Sequence, residues 1–354
     1  MAAATSNVLL VRTDRLGDVI LSTPVATALK KNYPACRITF LARSETRPIL
    51  ECHPHVNEVI TADNPQFTGA HGFFRLVSLL RKKNFDATIL LHPSLALACL
   101  AFLARILQRI GTGYRLYSAL FTHRVFEHRK TAQFHEAEYN LRLLKAIGIE
   151  NANVEFHYVL SEHDRQQSQA KLAEIGIKVD DRPIILHVGS GGSARDWPLA
   201  NFAALADTLN LEEHRQVVFT GGPGEIDLVA SVINKTRTKP LNLAGRLTLK
   251  DLMVLLEHAA VFVSNSTGPL HLAVMVGAPV VAFYPPIRVC RPERWGPYGR
   301  RDDVLMSQHE ECFRCRKTAE KYCACMAAIT VQQTLGKIHD KIGVRQPTPA
   351  LQHE

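Results

Sequence analysis

Short runs of β-branched and other apolar residues alternate along this chain with stretches in which apolar residues recur every three or four positions. The first pattern is typical of buried strands and the second of amphipathic helices. The strand patterns cover residues 7–12, 37–42, 183–188, 216–220, 261–264 and 280–283. The helical patterns cover residues 18–32, 198–209, 225–234, 249–258 and 269–276. This alternation predicts an α/β fold with parallel sheets that carry helices on both faces.

The alternation runs in two series, each opened by a strand and a glycine-containing loop, which predicts two doubly wound domains that face each other. A polar helical stretch, SEHDRQQSQAKLAEIG, separates the strand-like VEFHYVL from PIILHV. We place the boundary in that helix, with domains at residues 1–165 and 166–354. Ligands in such folds bind at the carboxyl ends of the strands. Those ends correspond to the loops at residues 13–18, 189–197, 221–225 and 264–271.

Two loops of the second half have the composition of anion-binding turns. In HVGSGGSARDWP, three glycines let backbone N–H groups approach a phosphate, while Ser190, Ser193 and Arg195 supply hydroxyl groups and a positive charge. In GGPGEID, Glu225 offers a carboxylate to ribose hydroxyls. A glycine loop after a strand is often only a turn, so each loop by itself is weak support for a site.

A third loop, SNSTGPLH, places Ser266, Thr267 and Gly268 at the start of a predicted helix, where unpaired N–H groups and the helix dipole favour negative charge. Three such loops on one domain predict a site for a nucleotide diphosphate. The sequence has neither a P-loop nor a GxGxxG motif, which argues against ATP hydrolysis and dinucleotide redox chemistry. It also has no Asp-x-Asp pair for a nucleotide-bound metal, so protein groups would have to neutralise the diphosphate.

The chain of 354 residues has a formal net charge of +9, which favours acidic partners such as nucleic acid, anionic membranes or phosphorylated small molecules. It contains no zinc-finger spacing, aromatic RNA-binding motif or basic helix with interleaved aromatic residues, so we expect no nucleic-acid partner. The start of the chain lacks the basic region of a secretory signal. We therefore expect a cytoplasmic protein.

Basic residues are concentrated just after an apolar segment at residues 95–104, which is too short to cross a bilayer because crossing takes roughly 20 residues. The patch is either an ordinary solvated face or, given the apolar segment beside it, a surface that faces anionic lipid. The second interpretation predicts peripheral attachment to a membrane. The patch consists of Arg105, Arg109, Arg115, Arg124, Arg129 and Lys130, with Glu127 as its single acid.

The turn after the first strand, VRTDRLGDVILSTP, contains two aspartates, Asp14 and Asp18. Sugar transfer from a nucleotide diphosphate has a good leaving group, but the acceptor hydroxyl needs a base in line with the anomeric carbon. Either aspartate lies at a strand end, where it would serve as that base. Asp18 follows Gly17 and precedes an apolar helix, so it is also a candidate helix N-cap.

These motifs together resemble glycosyltransferase family 9, the lipopolysaccharide heptosyltransferases, which have the GT-B fold. The resemblance runs from near residue 7 to about residue 330. It implies an amino-terminal domain that binds an acceptor and carries the base, and a carboxyl-terminal domain that binds a nucleotide sugar. The matching stretches are RTDRLGDVILSTPV, HVNEVI, HEAEYNLRLLKAIGI, HVGSGGSARDWPLANF, GGPGE, AGRLTLKDL, SNSTGPLHLAVMVGAPVVAFYPP and ERWGPYG.

The resemblance also assigns roles to single residues. The catalytic base of the family falls on Asp18, its cation for the donor diphosphate on Arg195, and its acidic ribose ligand on Glu225. The family's [ST]GxxH turn over the phosphates includes His271, which is alternatively a helix residue packed against the core. The candidates for donor binding are Ser190, Arg195, Glu225, Ser266, Thr267, Gly268 and His271, and those for acceptor binding are Arg15, Arg115 and Arg124.

One position departs from the pattern of the family. Members commonly carry aspartate where this chain has Ser266, and that aspartate is associated with hydroxyl groups of the donor sugar. Serine keeps a hydrogen-bonding group but loses the charge. ADP-heptose is therefore the donor that the resemblance implies, and Ser266 leaves the identity of the sugar open.

The eight cysteines divide into four scattered residues and a cluster, ECFRCRKTAEKYCACM. A C-x2-C pair followed by C-x-C could complete a four-thiolate structural zinc site, although the second pair is tighter than usual. Free thiols or a disulfide are the alternatives, and no other cofactor is expected. The scattered cysteines are Cys36, Cys52, Cys99 and Cys290, and the cluster holds Cys312, Cys315, Cys323 and Cys325.

We therefore predict an inverting, metal-independent glycosyltransferase that moves a sugar, heptose on the family's pattern, onto a lipopolysaccharide core or another lipid-linked acceptor at the inner face of the cytoplasmic membrane. A GT-B sugar-nucleotide epimerase would share the nucleotide loops but needs no large basic acceptor face. A non-catalytic nucleotide-sugar-binding protein would keep Arg195 and Glu225 without a base, and the presence of Asp18 counts against it.

Overall fold

The computed structural model describes residues 6–307 and 323–343. The chain folds as two compact units, Met1–Val159 and Leu160–Glu354. Within the described residues each unit has its own parallel sheet and its own buried apolar core. The predicted α/β class with two parallel sheets is confirmed.

The amino-terminal unit is built on a parallel sheet whose described strands are ordered β3-β2-β1-β4-β5-β6. In β1, Val8 and Leu10 pack into one apolar cluster, whereas Leu9 and Val11 pack into another. Successive side chains of a strand point to opposite faces, so the sheet is covered on both sides. The strands are β1 (Asn7–Val11), β2 (Arg37–Ala42), β3 (Glu58–Thr61), β4 (Ala87–Leu90), β5 (Gln108–Thr112) and β6 (His123–Val125).

Helices α1 to α5 connect successive parallel strands, α6 follows the last strand, and apolar residues pack on both faces of the sheet. Among the longer ones, α4 is amphipathic, with Leu76, Val77 and Leu80 buried. The described α-helices are α1 (Leu16–Ile20), α2 (Pro24–Asn32), α3 (Arg47–Glu51), α4 (Gly69–Lys82), α5 (Leu95–Leu103) and α6 (Glu136–Arg142).

The carboxyl-terminal unit repeats this design, with described strands in the order β12-β11-β10-β7-β8-β9. The strands are β7 (Ile184–His187), β8 (Val217–Thr220), β9 (Leu241–Asn242), β10 (Val261–Asn265), β11 (Val280–Tyr284) and β12 (Val304–Met306). The described α-helices are α7 (Glu162–Glu174), α8 (Leu199–Leu211), α9 (Ile226–Ile233), α10 (Leu249–Glu257), α11 (Gly268–Met275), α12 (Pro292–Trp295), α13 (Ala324–Ala327) and α14 (Val331–Gly343).

In each unit the strand order reverses beside the first strand. The fourth strand of the unit pairs with the first, β4 with β1 and β10 with β7, on the side opposite the second strand. At such a switch point, the loops at the carboxyl ends of the two central strands diverge and leave a crevice for a ligand. The loops that follow β1 and β4, and those that follow β7 and β10, are therefore the positions where chemistry is expected.

The predicted helix at residues 18–32 is wrong in its extent. The structure has two helices there, α1 and α2, with a turn at residues 21–23 between them. Pro24 is the first residue of α2, and proline interrupts a helix because it lacks an N–H group and its ring clashes with the preceding turn. The alternative role of Asp18 as an N-cap is also wrong. Arg15 occupies the N-cap position of α1, and Asp18 lies inside its first turn.

Two further sequence interpretations need correction. The strand-like VEFHYVL, at residues 154–160, forms no strand, and its backbone instead runs along the amino-terminal unit, where Val159 N donates to Cys52 O at 2.6 Å. The basic patch is also smaller than predicted. Arg109 donates to the carbonyls of Ile106 and Leu120, and Arg129 pairs with a buried glutamate, so neither arginine is a freely solvated cation.

No helix among the described residues is both long and apolar enough to cross a membrane.

Candidate active site

A buried arginine organises the carboxyl end of β1. Arg12 follows the last residue of β1, and its side chain is 2% exposed. Its Nη2 donates to Asp18 Oδ1 at 2.5 Å, and its Nε lies 3.1 Å from Asp14 Oδ2. Because burial of an isolated charge is costly, an arginine at this depth needs carboxylate partners. Both aspartates of the predicted catalytic turn are therefore held by one guanidinium group.

Helix α6 supplies a third carboxylate. Glu136, 1% exposed, lies 3.5 Å from Arg12 Nη1 through its Oε1 and also pairs with Arg129. Asn140, one helical turn later, accepts from Arg12 Nη1 at 3.5 Å and donates to Leu21 O at 3.0 Å. The spacing of four residues places both side chains on the same face of α6. We call Arg12, Asp14, Asp18 and Glu136 the Arg12 cluster.

The two aspartates of the Arg12 cluster differ in their pKa values. Burial alone would raise the pKa of Asp14, but a hydrogen bond from His92 and the charge of Arg12 lower it below its ordinary value. His92 follows β4, and its Nδ1 lies 2.8 Å from Asp14 Oδ2. Asp14 is therefore held as a weakly basic carboxylate at the switch point between β1 and β4.

The pKa of Asp18 moves in the opposite direction. Burial raises it above its ordinary value, and the negative charges of Asp14 and Glu136 act in the same direction, while Arg12 only partly opposes them. A carboxylate with a raised pKa is a better proton acceptor than an ordinary one. Of the two candidates in the turn, Asp18 therefore has the properties of a general base.

The three arginines predicted to bind the acceptor are exposed but lie on separate segments. Arg15 precedes α1, Arg115 follows β5, and Arg124 lies within β6, where it is paired with Gly111 of β5. Arg15 and Arg115 therefore lie beyond the carboxyl ends of their strands, as Asp18 does. Arg124 instead lies within β6, the outermost strand of the sheet.

In the carboxyl-terminal unit, the loop after β7 folds as a tight turn. Ser193 donates to Ser190 O through both its N–H, at 3.0 Å, and its hydroxyl, at 2.7 Å. Ser190 Oγ is buried and has no hydrogen-bond partner among the described residues. A buried hydroxyl group without a partner is costly, so a bound ligand atom would satisfy it. Arg195 follows in the same loop, half-buried and close to Cys290.

A buried asparagine connects this loop to the end of β10. Asn265, the last residue of β10, accepts from Trp197 N at 2.8 Å and donates to Val188 O, also at 2.8 Å. Its side chain is fully buried. Asn265, at the end of β10, thereby fixes both ends of the loop that follows β7.

Glu225 occupies the position that a side chain at residue 189 would take. A Cβ atom on Gly189 would lie 1.6 Å from Glu225 Oε1, so glycine is required there to leave room for the carboxylate. Glu225 Oε2 accepts from Gly222 N at 2.9 Å and lies 3.6 Å from His187 Nε2. His187 is buried, and burial lowers its pKa, while its Nδ1 contacts Thr220 Oγ1 at 3.0 Å. The carboxylate of Glu225 is thus fixed by Gly222 of its own turn and by His187 at the end of β7.

The predicted phosphate turn lies at the start of α11. Thr267 is the N-cap of this helix, but its hydroxyl makes no capping hydrogen bond and so is not consumed by that role. His271 is buried in the first turn of α11. Ser266 is buried and hydrogen-bonds to the hydroxyl of Tyr284, which itself donates to Trp295 O at 2.5 Å. Ser266, the residue that differs from the family's usual aspartate, therefore already has a hydrogen-bond partner within the protein.

The zinc prediction involves Cys312 and Cys315, which lie outside the described residues. Cys323 and Cys325 form no disulfide among the described residues, and both pack with Cys290 against Ile287. Among the described residues, no three histidine, cysteine, aspartate or glutamate side chains are arranged to hold a metal ion.

Four residues of these sites were not found from the sequence. They are Arg12, Glu136, His187 and Asn265. Three of them lie at or next to strand ends, beside residues that were predicted, and a charged or amide side chain directly after an apolar strand is the signal that would have found Arg12 and Asn265. Glu136 carries no such signal, because it comes from a helix distant in sequence.

Comparison with known proteins identifies the family. The family model of glycosyltransferase family 9 (heptosyltransferase) matches residues 73–324. A putative glycosyltransferase of Haemophilus influenzae is 30% identical over 300 residues, covering 82% of this chain and 85% of that protein. Lipopolysaccharide heptosyltransferase 3 of Escherichia coli is 27% identical over 277 residues, covering 76% of this chain and 80% of that protein.

Solved structures show the same fold. The crystal structure of a family 9 glycosyl transferase from Veillonella parvula has a TM-score of 0.81 at 25% identity, covering 97% of this chain and 98% of its own. The structure of the Escherichia coli ADP-heptose lipopolysaccharide heptosyltransferase II has a TM-score of 0.79 at 24% identity, with 95% and 98% covered. The predicted GT-B fold is confirmed, and the chain belongs to glycosyltransferase family 9 and is a glycosyltransferase.

Proposed function

We propose that this enzyme transfers heptose from ADP-heptose to a lipopolysaccharide core acceptor, with inversion and without a metal, at the inner face of the cytoplasmic membrane. The observation that carries the proposal is Asp18, a carboxylate of raised pKa held by Arg12 at the switch point of the first sheet. The names of the relatives, which are lipopolysaccharide heptosyltransferases, support the choice of donor sugar and acceptor.

In the proposed reaction, the acceptor hydroxyl gives its proton to a carboxylate oxygen of Asp18. The acceptor oxygen bonds to the anomeric carbon as the bond from that carbon to the diphosphate breaks, and ADP leaves. A single displacement of this kind inverts the anomeric centre. Arg12 keeps Asp18 oriented, and the exposed Arg15, Arg115 and Arg124 are proposed to attract the anionic acceptor.

The donor would bind at the loops of the second sheet. Glu225 is proposed to accept hydrogen bonds from ribose hydroxyls, and Ser190 to donate its unpartnered hydroxyl to the nucleotide. Arg195, with Thr267 and Gly268 at the start of α11, would carry the charge that grows on the leaving diphosphate. The sequence contains no Asp-x-Asp pair, and these groups are proposed to take the place of a metal.

The test is direct assay of transfer. Purified enzyme is incubated with truncated lipopolysaccharide and with ADP-heptose, UDP-glucose or GDP-mannose, in the presence and absence of EDTA. The products are identified by mass spectrometry. We expect one heptose added from ADP-heptose at an unchanged rate in EDTA. Transfer from another donor, loss of activity that magnesium restores, or isomerised nucleotide sugar in the absence of acceptor would each contradict part of the proposal.

Gly189→Ala should weaken binding of ADP by about 10- to 100-fold, the value of one or two hydrogen bonds to a charged group. The added Cβ would displace the Glu225 carboxylate, and the melting temperature should change little because the end of that side chain can move. Gly224→Ala, in the neighbouring loop, is the matched control, since in the described part of the chain no atom beyond its immediate chain neighbours lies within 4 Å of its Cβ position. Titration calorimetry measures both. Equal affinities would show that Glu225 does not bind the nucleotide.

The acid limb of kcat/KM should lie at a higher pH than an ordinary aspartate with a pKa of 3.8 would give. The base works only when deprotonated, so a raised pKa means that activity is lost earlier as the pH falls. Asp14→Asn should move this limb to lower pH, because the charge of Asp14 contributes to the raised pKa of Asp18. Rates measured from about pH 4 to about pH 8 test this prediction. If the acid limb of Asp14→Asn lies at the same pH as that of the wild type, Asp18 is not the titrating group.

A further inference from the structure

The outer side of α4, α5 and the turn at Leu116–Leu120 carries large apolar side chains in solvent. Phe74 and Leu95 are each 60% exposed, Phe102 49%, Leu107 78% and Leu116 99%. Helix α5 packs against both α4 and this turn, so four of the five residues lie on adjacent elements, and Leu107 lies in the connection from α5 to β5. We call them the α5 face. Single exposed apolar residues are normal, but several on adjoining elements indicate an interaction surface.

The composition of α5 strengthens this conclusion. Its sequence, LALACLAFL, contains no polar residue, yet only Ala98, Leu100 and Ala101 are buried. Leu95 and Phe102 are seven residues apart and therefore lie on the same, exposed face of the helix. A helix on the surface of a globular protein ordinarily has a polar outer face. The outer face of α5 instead matches an apolar environment.

The sequence that carries the α5 face is mostly basic, although Lys83 within it pairs with Glu58 of β3. Between residues 69 and 126 the only acid is Asp86, and it accepts hydrogen bonds from Ser6 and from the backbone of Asn7. The basic residues in this range are Arg75, Arg81, Lys82, Lys83, Arg105, Arg109, Arg115 and Arg124. Arg75 and Arg105 are exposed close to the apolar side chains, on α4 and just after α5.

We infer that the α5 face is the surface by which this enzyme attaches to an anionic phospholipid bilayer. Its apolar side chains would enter the headgroup region, and the surrounding arginines would contact lipid phosphates. A second copy of the chain is a poorer occupant, because a two-fold contact would bring the same arginines together. The inference rests on the proposed function in one respect, since a lipid-linked acceptor gives the enzyme a reason to be at the membrane.

The apolar contribution is tested with vesicles of phosphatidylethanolamine and phosphatidylglycerol, and with vesicles of phosphatidylcholine alone. The full-length enzyme should sediment with the anionic vesicles and much less with the neutral ones. Leu107→Ser with Leu116→Ser should lower the partition coefficient by about tenfold or more. Leu211→Ser with Met306→Ser is the matched control, since both side chains are exposed in the carboxyl-terminal unit, and it should bind as wild type does.

The electrostatic contribution is tested by removing two positive charges either near the α5 face or from the other unit. Arg75→Gln with Arg105→Gln should reduce binding to anionic vesicles several-fold, because each arginine near an anionic membrane surface contributes electrostatic attraction. Arg237→Gln with Arg301→Gln removes the same net charge from exposed residues of the other unit and should have a small effect. Raised salt should weaken wild-type binding.

Failure of the wild-type enzyme to bind anionic vesicles would overturn the inference, as would equal binding by the α5-face variant and its control. A wild-type dimer that the α5-face variant converts to a monomer, without vesicle binding, would assign the face to a second copy and also overturn it. Transfer to a detergent-dissolved acceptor should be unchanged in all four variants. Vesicle binding without transfer would refute the proposed function alone, and transfer without vesicle binding would refute the α5 face alone.

Discussion

Asp18→Asn should lower turnover by roughly 10²- to 10⁴-fold and leave nucleotide affinity close to that of the wild type. The amide has the size of the carboxylate and can still accept the hydrogen bond from Arg12 Nη2, which is 2.5 Å long. It cannot take a proton from the acceptor hydroxyl at neutral pH. Single-turnover rates with ADP-heptose and a saturating acceptor measure the chemical step, and calorimetry with ADP measures binding.

Asp14→Asn is the matched control for this experiment. Asp14 contacts the same guanidinium group, with its Oδ2 3.1 Å from Arg12 Nε, but its lowered pKa makes it a poor base. We expect its rate to fall by less than about tenfold. If the two variants lose activity equally, the Arg12 cluster has only a structural role. If Asp18→Asn stays within a few-fold of wild type, the base is another group.

Arg12→Met should lower the free energy of unfolding of the amino-terminal unit by about 3–5 kcal/mol, the usual cost of removing one partner from a buried ionic group. The variant leaves buried Glu136 and partly buried Asp18 without the charge that both contact. Both tryptophans, Trp197 and Trp295, belong to the other unit. Unfolding is therefore best followed by hydrogen exchange of the β1 amides, with tryptophan fluorescence as an internal reference that should not change.

The same substitution at the surface provides the control. Arg43 pairs with Glu45 at 3.7 Å, and both side chains are exposed, so Arg43→Met should cost at most about 1 kcal/mol. Without Arg12, the already raised pKa of Asp18 rises further. A raised folded-state pKa gives stability below the unfolded-state pKa and loses it as the pH rises, so the deficit of Arg12→Met should shrink toward acid pH. A deficit equal to that of Arg43→Met would show that the Arg12 cluster adds no net stability.

Much of the fold could be predicted from the sequence because its signals are local. The strand at residues 37–42 matches β2, since a run of apolar residues buried on both faces is a strong pattern. The helix at residues 18–32 was predicted as one element because its apolar pattern is continuous. Pro24 breaks it through a backbone effect that the apolar pattern does not contain.

The candidate site was predictable only in part, because local patterns are visible in the sequence and contacts between distant residues are not. Ser190 and Thr267 lie in loops whose glycines and position after a strand are visible locally. The contact of Arg12 with Asn140 joins residues 128 apart in sequence, and that of Asn265 with Val188 joins residues 77 apart. Such contacts depend on how helices cross over the sheet, which apolar periodicity does not specify.

Asn265 has a thermodynamic consequence for the nucleotide. Because its amide holds the backbone at Val188 and at Trp197, the loop that follows β7 is fixed at both ends before any ligand arrives. A ligand that must order flexible loops loses part of its interaction free energy to conformational entropy, and a preformed site avoids that loss. In the proposed donor site, little of the binding free energy would therefore be lost to ordering the loop. More of it would be available to stabilise the transition state, in which the bond from the sugar to the diphosphate breaks.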